Sequence, residues 1–103
     1  MLIIATDVDG VYRDWGTPDQ RLLAWSHPEA IDPADFAPGS MGPKVKAARL
    51  FAESDHGDAV IGSLSSIAGL FAGTAGTLVS LDVDGVAYRD EKEEIVGEDA
   101  DLG

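Results

Sequence analysis

Three observations in the 103-residue sequence predict an α/β fold, a mostly parallel sheet with flanking helices. The first apolar run, Leu2 to Thr6, is continuous rather than alternating and is closed by Asp7-Val8-Asp9-Gly10, as in an inner strand that ends in a loop. Lys44 to Glu53 carries an apolar face at helical spacing and follows a loop rich in Gly and Pro. From there, segments with helix and strand character alternate as far as Leu81, the order of parallel βαβ units.

Each element has its own signal. Gly16, Pro18, Asp14 and Asp19 mark Tyr12 to Gln20 as a surface excursion. Leu22 to Trp25 reads as a short edge strand, and Ser26-His27-Pro28-Glu29-Ala30 as a helix entry, with Asp32-Pro33 breaking the regularity. In the main helix Val45, Ala48, Phe51 and Ala52 share a face, Pro43 suits the first helical position, and Asp55 to Gly57 supply the stop. Ala59 to Gly62 reads as a strand, Leu64 to Ala72 as a second helix capped by Ser63, and Thr77 to Leu81 as a strand.

Composition bounds the function classes. There are 19 acids against seven Lys and Arg, a net charge of −12, with 45% hydrophobic residues and no cysteine. Such a chain supports one core and one domain. It lacks the clustered cations that nucleic acid or an anionic membrane requires, so neither is an expected partner. Without cysteine there is no disulfide framework and no thiolate zinc site, and the cytoplasm is the expected compartment. The apolar N-terminus meets Asp7 at once and has no basic flank, unlike a signal peptide or a membrane anchor. Beyond Leu81 the composition shifts to nine acids and two basic residues, so residues 1–81 are read as the domain and 82–103 as a flexible acidic tail. Within that tail Asp82-Val83-Asp84-Gly85-Val86 repeats Asp7-Val8-Asp9-Gly10-Val11.

Two segments carry candidate chemistry. Gly39-Ser40-Met41-Gly42-Pro43-Lys44 opens the main helix, where free amides and the helix dipole favour an anion and Lys44 adds a full charge. Lys44, Lys46 and Arg49 are three of the seven basic residues, and a phosphate is the natural anion for them. The spacing is not that of a Walker A loop. Asp7-Val8-Asp9-Gly10-Val11-Tyr12 lies past the carboxyl end of the first strand, where open α/β sheets bind ligands. There Asp7 or Asp9 suits ribose hydroxyls or a metal, and Tyr12 suits a base. Gly62-Ser63 reads as a helix cap, His27 and His56 as surface histidines, and Trp15 and Trp25 as packing residues.

Taken together, Ile4 to Tyr12, Asp14 to Arg21, Phe36 to Val45, Ala59 to Leu64 and Ala75 to Thr77 resemble the C-terminal, nucleotide-binding part of carbamate kinases, in the amino acid kinase superfamily. The resemblance spans roughly residues 1 to 80 and implies part of an amino acid kinase fold. It implies reversible phosphoryl transfer between ATP and carbamate, with ATP or ADP as ligand and Mg²⁺ held mainly by the phosphates. Carried onto this sequence, Lys44 would reach the terminal phosphate as the catalytic lysine. Asp7, Val8, Asp9, Gly10, Val11 and Tyr12 would line the adenosine site, and Gly39, Ser40, Met41 and Gly42 would close round the nucleotide; no protein metal ligand is implied. The family's N-terminal lobe has no counterpart in the sequence. The expectation is therefore a truncated or split kinase, inactive by itself, with a separately encoded N-terminal half or a second copy as partner. Two alternatives share the features: a haloacid dehalogenase-type Mg²⁺-dependent phosphatase using Asp7 as nucleophile and Asp9 as acid/base, and a non-catalytic nucleotide-binding module. The acid excess also fits a high-salt cytosol.

Overall fold

A computed structural model describes residues 1–54 and 57–89. The expected helix stop at Asp55 and His56, and residues 90–103 of the acidic segment, lie outside the described residues. Among the described residues six strands form one sheet: β1 (Leu2–Ala5), β2 (Tyr12–Arg13), β3 (Arg21–Ser26), β4 (Ala59–Gly62), β5 (Thr77–Val79) and β6 (Val86–Tyr88). Their order is β1-β4-β5-β3-β2, and β6 also pairs with β3. The helices are α1 (Met41–Glu53) and α2 (Ile67–Ala72).

The core lies between α1 and one face of the sheet. Val45, Ala48 and Ala52 of α1 are buried against Leu23, Ala59, Ile61 and Val79, with Val11 and Ile31 closing the ends. Alanines at two of these helix positions let the α1 backbone come close to the sheet, while each buried Ile or Leu contributes about 1.5–3 kcal/mol of transfer free energy. Arg49, at the rim, donates to the Ile31 carbonyl at 3.2 Å and pairs with Glu53 at 3.0 Å.

The sheet is mixed. β1 pairs with β4 and β3 with β5 in parallel; β2 and β6 each run antiparallel to β3. Two sequence expectations need correction. The segment read as an edge strand is β3, which pairs with three strands and buries Leu23 and Ser26. Its outer side is covered by β6, whose Tyr88 ring stacks beneath the Arg21 guanidinium at 3.9 Å, a cation–π contact that the sequence does not reveal. The β4–α2–β5 succession is not a parallel crossover, because β4 and β5 pair antiparallel with Ile61 opposite Thr77. Residues 64–66 form a 3₁₀ turn and α2 has only six residues, so the chain re-enters the sheet beside the end of β4 instead of returning along its length. Gly73, at φ +82°, ends α2, and Gly76, at φ +79°, starts the return.

The repeated Asp-Val-Asp-Gly-Val acquires a structural account. Each copy is a turn that leads into a short strand antiparallel to β3: Tyr12 pairs with Leu22, and Ala87 with Trp25. The acidic segment thus joins the sheet through Val86–Tyr88. Arg89 fastens it, donating from Nε and from a terminal nitrogen to the Gly76 carbonyl at 3.1 and 2.9 Å. Burial lowers the pKa of that guanidinium from its ordinary value, but it remains cationic at any physiological pH.

Thr77 joins three segments at one atom. Its fully buried hydroxyl accepts from the Val11 amide at 2.9 Å and donates to the Leu23 carbonyl at 2.7 Å. Thr77→Val keeps the shape and strands both groups, each costing about 1–3 kcal/mol; the midpoint of urea unfolding should fall by an amount equivalent to about 2–4 kcal/mol, with Thr77→Ser recovering most of it. Backbone room is equally specific at Gly76, where an added Cβ would lie 2.6 Å from Leu70 Cδ2 and 2.9 Å from the Ile61 carbonyl, whereas at Gly16, also at positive φ, nothing lies within 4 Å. Gly76→Ala should therefore lower the thermal midpoint clearly more than Gly16→Ala.

Candidate functional site

The carboxyl end of β1 opens into the candidate site. The Thr6 amide donates to the Gly62 carbonyl at 2.9 Å, continuing the ladder one residue past β1 and fixing where the loop departs. The loop then turns through Asp7, Val8 and Asp9 to Gly10, which is buried with no space for a side chain: an added Cβ would fall 2.8 Å from Thr77 Oγ1. Immediately afterwards the Val11 amide is held by that same hydroxyl. Val11 turns into the core and Tyr12 toward the loop, where its hydroxyl meets Asp9 Oδ2 at 3.4 Å and its ring meets Trp15 edge-on, with centroids 4.9 Å apart.

The facing wall is the start of α1. The Ser40 and Gly42 amides both donate to the Ala37 carbonyl, at 3.2 and 2.9 Å, which folds the Pro-Gly loop tightly onto the first turn. Gly42 is buried there, its Cα facing the Ala37, Pro33 and Phe36 carbonyls at distances no side chain would tolerate without a shift. The helix begins at Met41, two residues before Pro43, the expected first position, so Pro43 is its third residue; in the first turn its missing amide costs no intrahelical bond. Ser40 makes no capping bond through its side chain, and the first turn contains no acid. Neither a capping side chain nor an acid of the first turn therefore offsets the dipole at this end. Lys44 lies on the same turn, with Nζ 3.5 Å from the Ser40 carbonyl.

Between these walls lies a cleft of about 330 Å³, lined by Ala5, Thr6, Asp7, Val8, Gly10, Tyr12, Trp15, Ser40, Met41 and Lys44. The two segments singled out in the sequence, some thirty residues apart in the chain, thus face each other across one space. The cleft is polarised: a cation and a helix N-terminus on one wall, and the Asp7 carboxylate with two aromatic rings on the other. Four of the expected residues take other places. Asp9 is turned to the Tyr12 hydroxyl, Val11 is in the core, Gly39 is exposed with open space around it, and Gly42 packs the turn. Of the basic run, only Lys44 lines the cleft; Lys46 is exposed elsewhere on α1 and Arg49 is engaged with Ile31 and Glu53.

Sequence reasoning assigned Trp15 to packing, and the structure corrects this: its side chain is 60% exposed at the cleft mouth. A large aromatic inside a Gly, Pro and Asp excursion with no periodic apolar partners was the available signal. Ser63 does cap the turn after β4, its hydroxyl accepting from the Ser65 amide at 3.2 Å. Gly62 packs closely, since an added Cβ would fall 2.5 Å from Leu70 Cδ2 and that side chain would have to shift. Among the described residues no three His, Asp or Glu side chains are grouped to hold a metal ion, and no helix is long and apolar enough to cross a membrane.

Residues 1–63 match the family model for the amino acid kinase family. Carbamate kinase of Haemophilus influenzae is 49% identical over 88 residues, covering 85% of this chain and 28% of that protein. Carbamate kinase of Escherichia coli K12 is 46% identical over 80 residues, 78% of this chain and 27% of its own. Among solved structures, carbamate kinase from Giardia lamblia bound to AMP-PNP superposes with a TM-score of 0.71 at 36% identity, covering 79% of this chain and 30% of that one. A crystal structure from Aeropyrum pernix K1 gives a TM-score of 0.67 at 40% identity, over 78% and 27%. The chain thus spans little more than a quarter of the length of these relatives. Two enzyme families share an acidic turn after a first strand, and these likenesses decide between them: the chain belongs to the amino acid kinase family.

Proposed function

We propose that this chain is the nucleotide-binding portion of a carbamate kinase-like phosphotransferase, taking ATP or ADP in the cleft between the Asp7–Tyr12 loop and the start of α1. The observation that carries the proposal is the meeting of Lys44, an uncapped helix N-terminus and an aromatic pair on one cleft. The Giardia relative bound to AMP-PNP supports the same class of ligand. The phosphates belong on the α1 wall, where the helix dipole and Lys44 offset their charge; the base and ribose belong on the opposite wall, against Tyr12, Trp15 and the Asp7 carboxylate. Mg²⁺ fits as a partner of the phosphates, because the described residues offer no side-chain cage for it.

The chemistry of such a site is positioning and charge neutralisation. Lys44 approaches the terminal phosphate and counters the negative charge that develops on the transferring group, while the positive end of the α1 dipole favours the donor's phosphates at that wall. A phosphoryl acceptor must be placed by groups outside the matched quarter of the relatives. By itself the 103-residue chain is then a nucleotide binder without turnover, and its role in arginine metabolism in a cytoplasm is that of a kinase component.

Thermal-shift titration of the purified chain with MgADP should raise its unfolding midpoint, by an amount equivalent to about 2.7 kcal/mol at a hundredfold excess over Kd. Lys44→Ala should weaken that binding about tenfold or more without lowering the ligand-free midpoint. No shift at millimolar nucleotide would sink the proposal. Trp15 and Trp25 are the chain's two tryptophans, and only Trp15 lines the cleft. MgADP should therefore change the intrinsic fluorescence, and Trp15→Phe should remove most of the change while Trp25→Phe keeps it.

A further inference from the structure

Trp15 stands on an excursion, residues 14–20, that is fastened by its own hydrogen bonds. Asp14 opens it in the left-handed region, at φ +55°, and its carbonyl accepts twice from Thr17, from the amide at 3.1 Å and from Oγ1 at 2.7 Å. A residue with a side chain keeps such a conformation where neighbouring bonds over-determine it. Trp15 and Gly16 are the two central residues of this turn, and Gly16, at φ +83°, supplies the positive φ that a type II turn needs at its third position. A second turn follows at once, with Pro18 as its first central residue. There the Gln20 amide donates to the Thr17 carbonyl and the Asp19 amide to Thr17 Oγ1, each at 3.1 Å.

One side-chain contact closes the second turn back on the first: Gln20 Oε1 accepts from the Gly16 amide at 3.0 Å. Gln20 immediately precedes β3, which pairs with three strands, so its backbone is anchored to the sheet. Gly16 has no side chain by which to be held, and nothing lies within 4 Å of where its Cβ would be. Its neighbour Trp15 is 60% exposed at the cleft mouth and meets the Tyr12 ring edge-on. Little packing fixes that indole from the side, so its place is set by the backbone beneath it. Building on the nucleotide-binding reading, we propose that Gln20 is a positioning residue for the nucleobase: through the Gly16 amide it holds Trp15 where a base can lie against the indole. Stacking on a ring that is already in place needs no further ordering when the ligand arrives. Every bond of this device lies within residues 14–20, so it belongs to the excursion itself.

The test uses the full 103-residue chain in a Trp25→Phe background, where Trp15 is the only tryptophan. Gln20→Leu removes the acceptor and Gln20→Glu keeps it. Without ligand, time-resolved fluorescence anisotropy should show faster local motion of the indole in Gln20→Leu and parental motion in Gln20→Glu. Their thermal midpoints should stay close together, because the bond is exposed. In calorimetric titrations with MgADP, Gln20→Leu should weaken binding about three- to tenfold, and Gln20→Glu should recover most of that loss. In a Trp15→Ala background Gln20→Leu should add nothing, since the two changes act through one contact. Unchanged indole motion in Gln20→Leu, or a loss of affinity that persists undiminished in the Trp15→Ala background, would overturn the assignment. A parent chain that does not bind MgADP defeats the nucleotide reading and this role with it, whereas a parent and a Gln20→Leu variant that bind equally well overturn the positioning role alone.

Discussion

The arrangement of this molecule depends on one buried hydroxyl. Thr77 begins β5, and its oxygen ties the end of the Asp7–Tyr12 loop to β3: it accepts from the Val11 amide and donates to the Leu23 carbonyl. A buried group with two backbone partners at 2.9 and 2.7 Å tolerates no drift, because losing either one leaves a desolvated polar atom. Gly10 must pass within touching distance of the same oxygen, so the loop has one available path. That path points Val11 into the core and Tyr12 at the cleft. The wall that faces Lys44 is thus set from beneath by a residue with no contact to the cleft itself.

Much of this was legible in the residues. The continuous apolar run of β1, the Gly-Pro entry to α1 and its apolar face are local signals, and local physics realises them within one to three residues. The cleft was legible as two halves, because each half carries its own composition cue: an acidic turn after a strand, and a lysine on a Gly-rich helix start. What the residues hid was everything that depends on pairing between distant segments. β3 carries the short apolar pattern of an edge strand, yet a cation–π contact from Arg21 to Tyr88 brings β6 over it from sixty-odd residues away. The antiparallel return through α2 was hidden for a different reason. Helix and strand propensities were read correctly there, but direction is decided by whether the helix is long enough to carry the chain back, and six residues are not.

The charge distribution follows from the same construction. The chain is strongly acidic, and three of its arginines have a structural duty: Arg49 ties α1 to Ile31, Arg21 covers Tyr88, and Arg89 locks the Gly76 turn. Lys44 differs from these. Its one hydrogen bond is a long contact to a carbonyl of its own helix start, and the turn it stands on has neither acid nor capping side chain. Within a molecule of −12, a positive end on one wall of a cleft is a local reversal of the field that surrounds it. Reversals of that kind concentrate anions in proportion to how well the walls exclude water.

The doubled Asp-Val-Asp-Gly-Val has a bearing beyond this fold. Both copies perform one backbone task, turning the chain out of a strand end and delivering a short partner to β3. The first opens on the cleft that Lys44 faces; the second runs from an exposed turn into β6, where the Gly85 carbonyl accepts from the His27 amide. The pentapeptide is therefore a joint before it is a ligand motif, and its acids mark solvent at the bend. Whether such a turn acquires chemistry is decided by what the rest of the chain sets opposite it, so identical letters in one polypeptide can stand at a plain bend in one place and along a cleft wall in another.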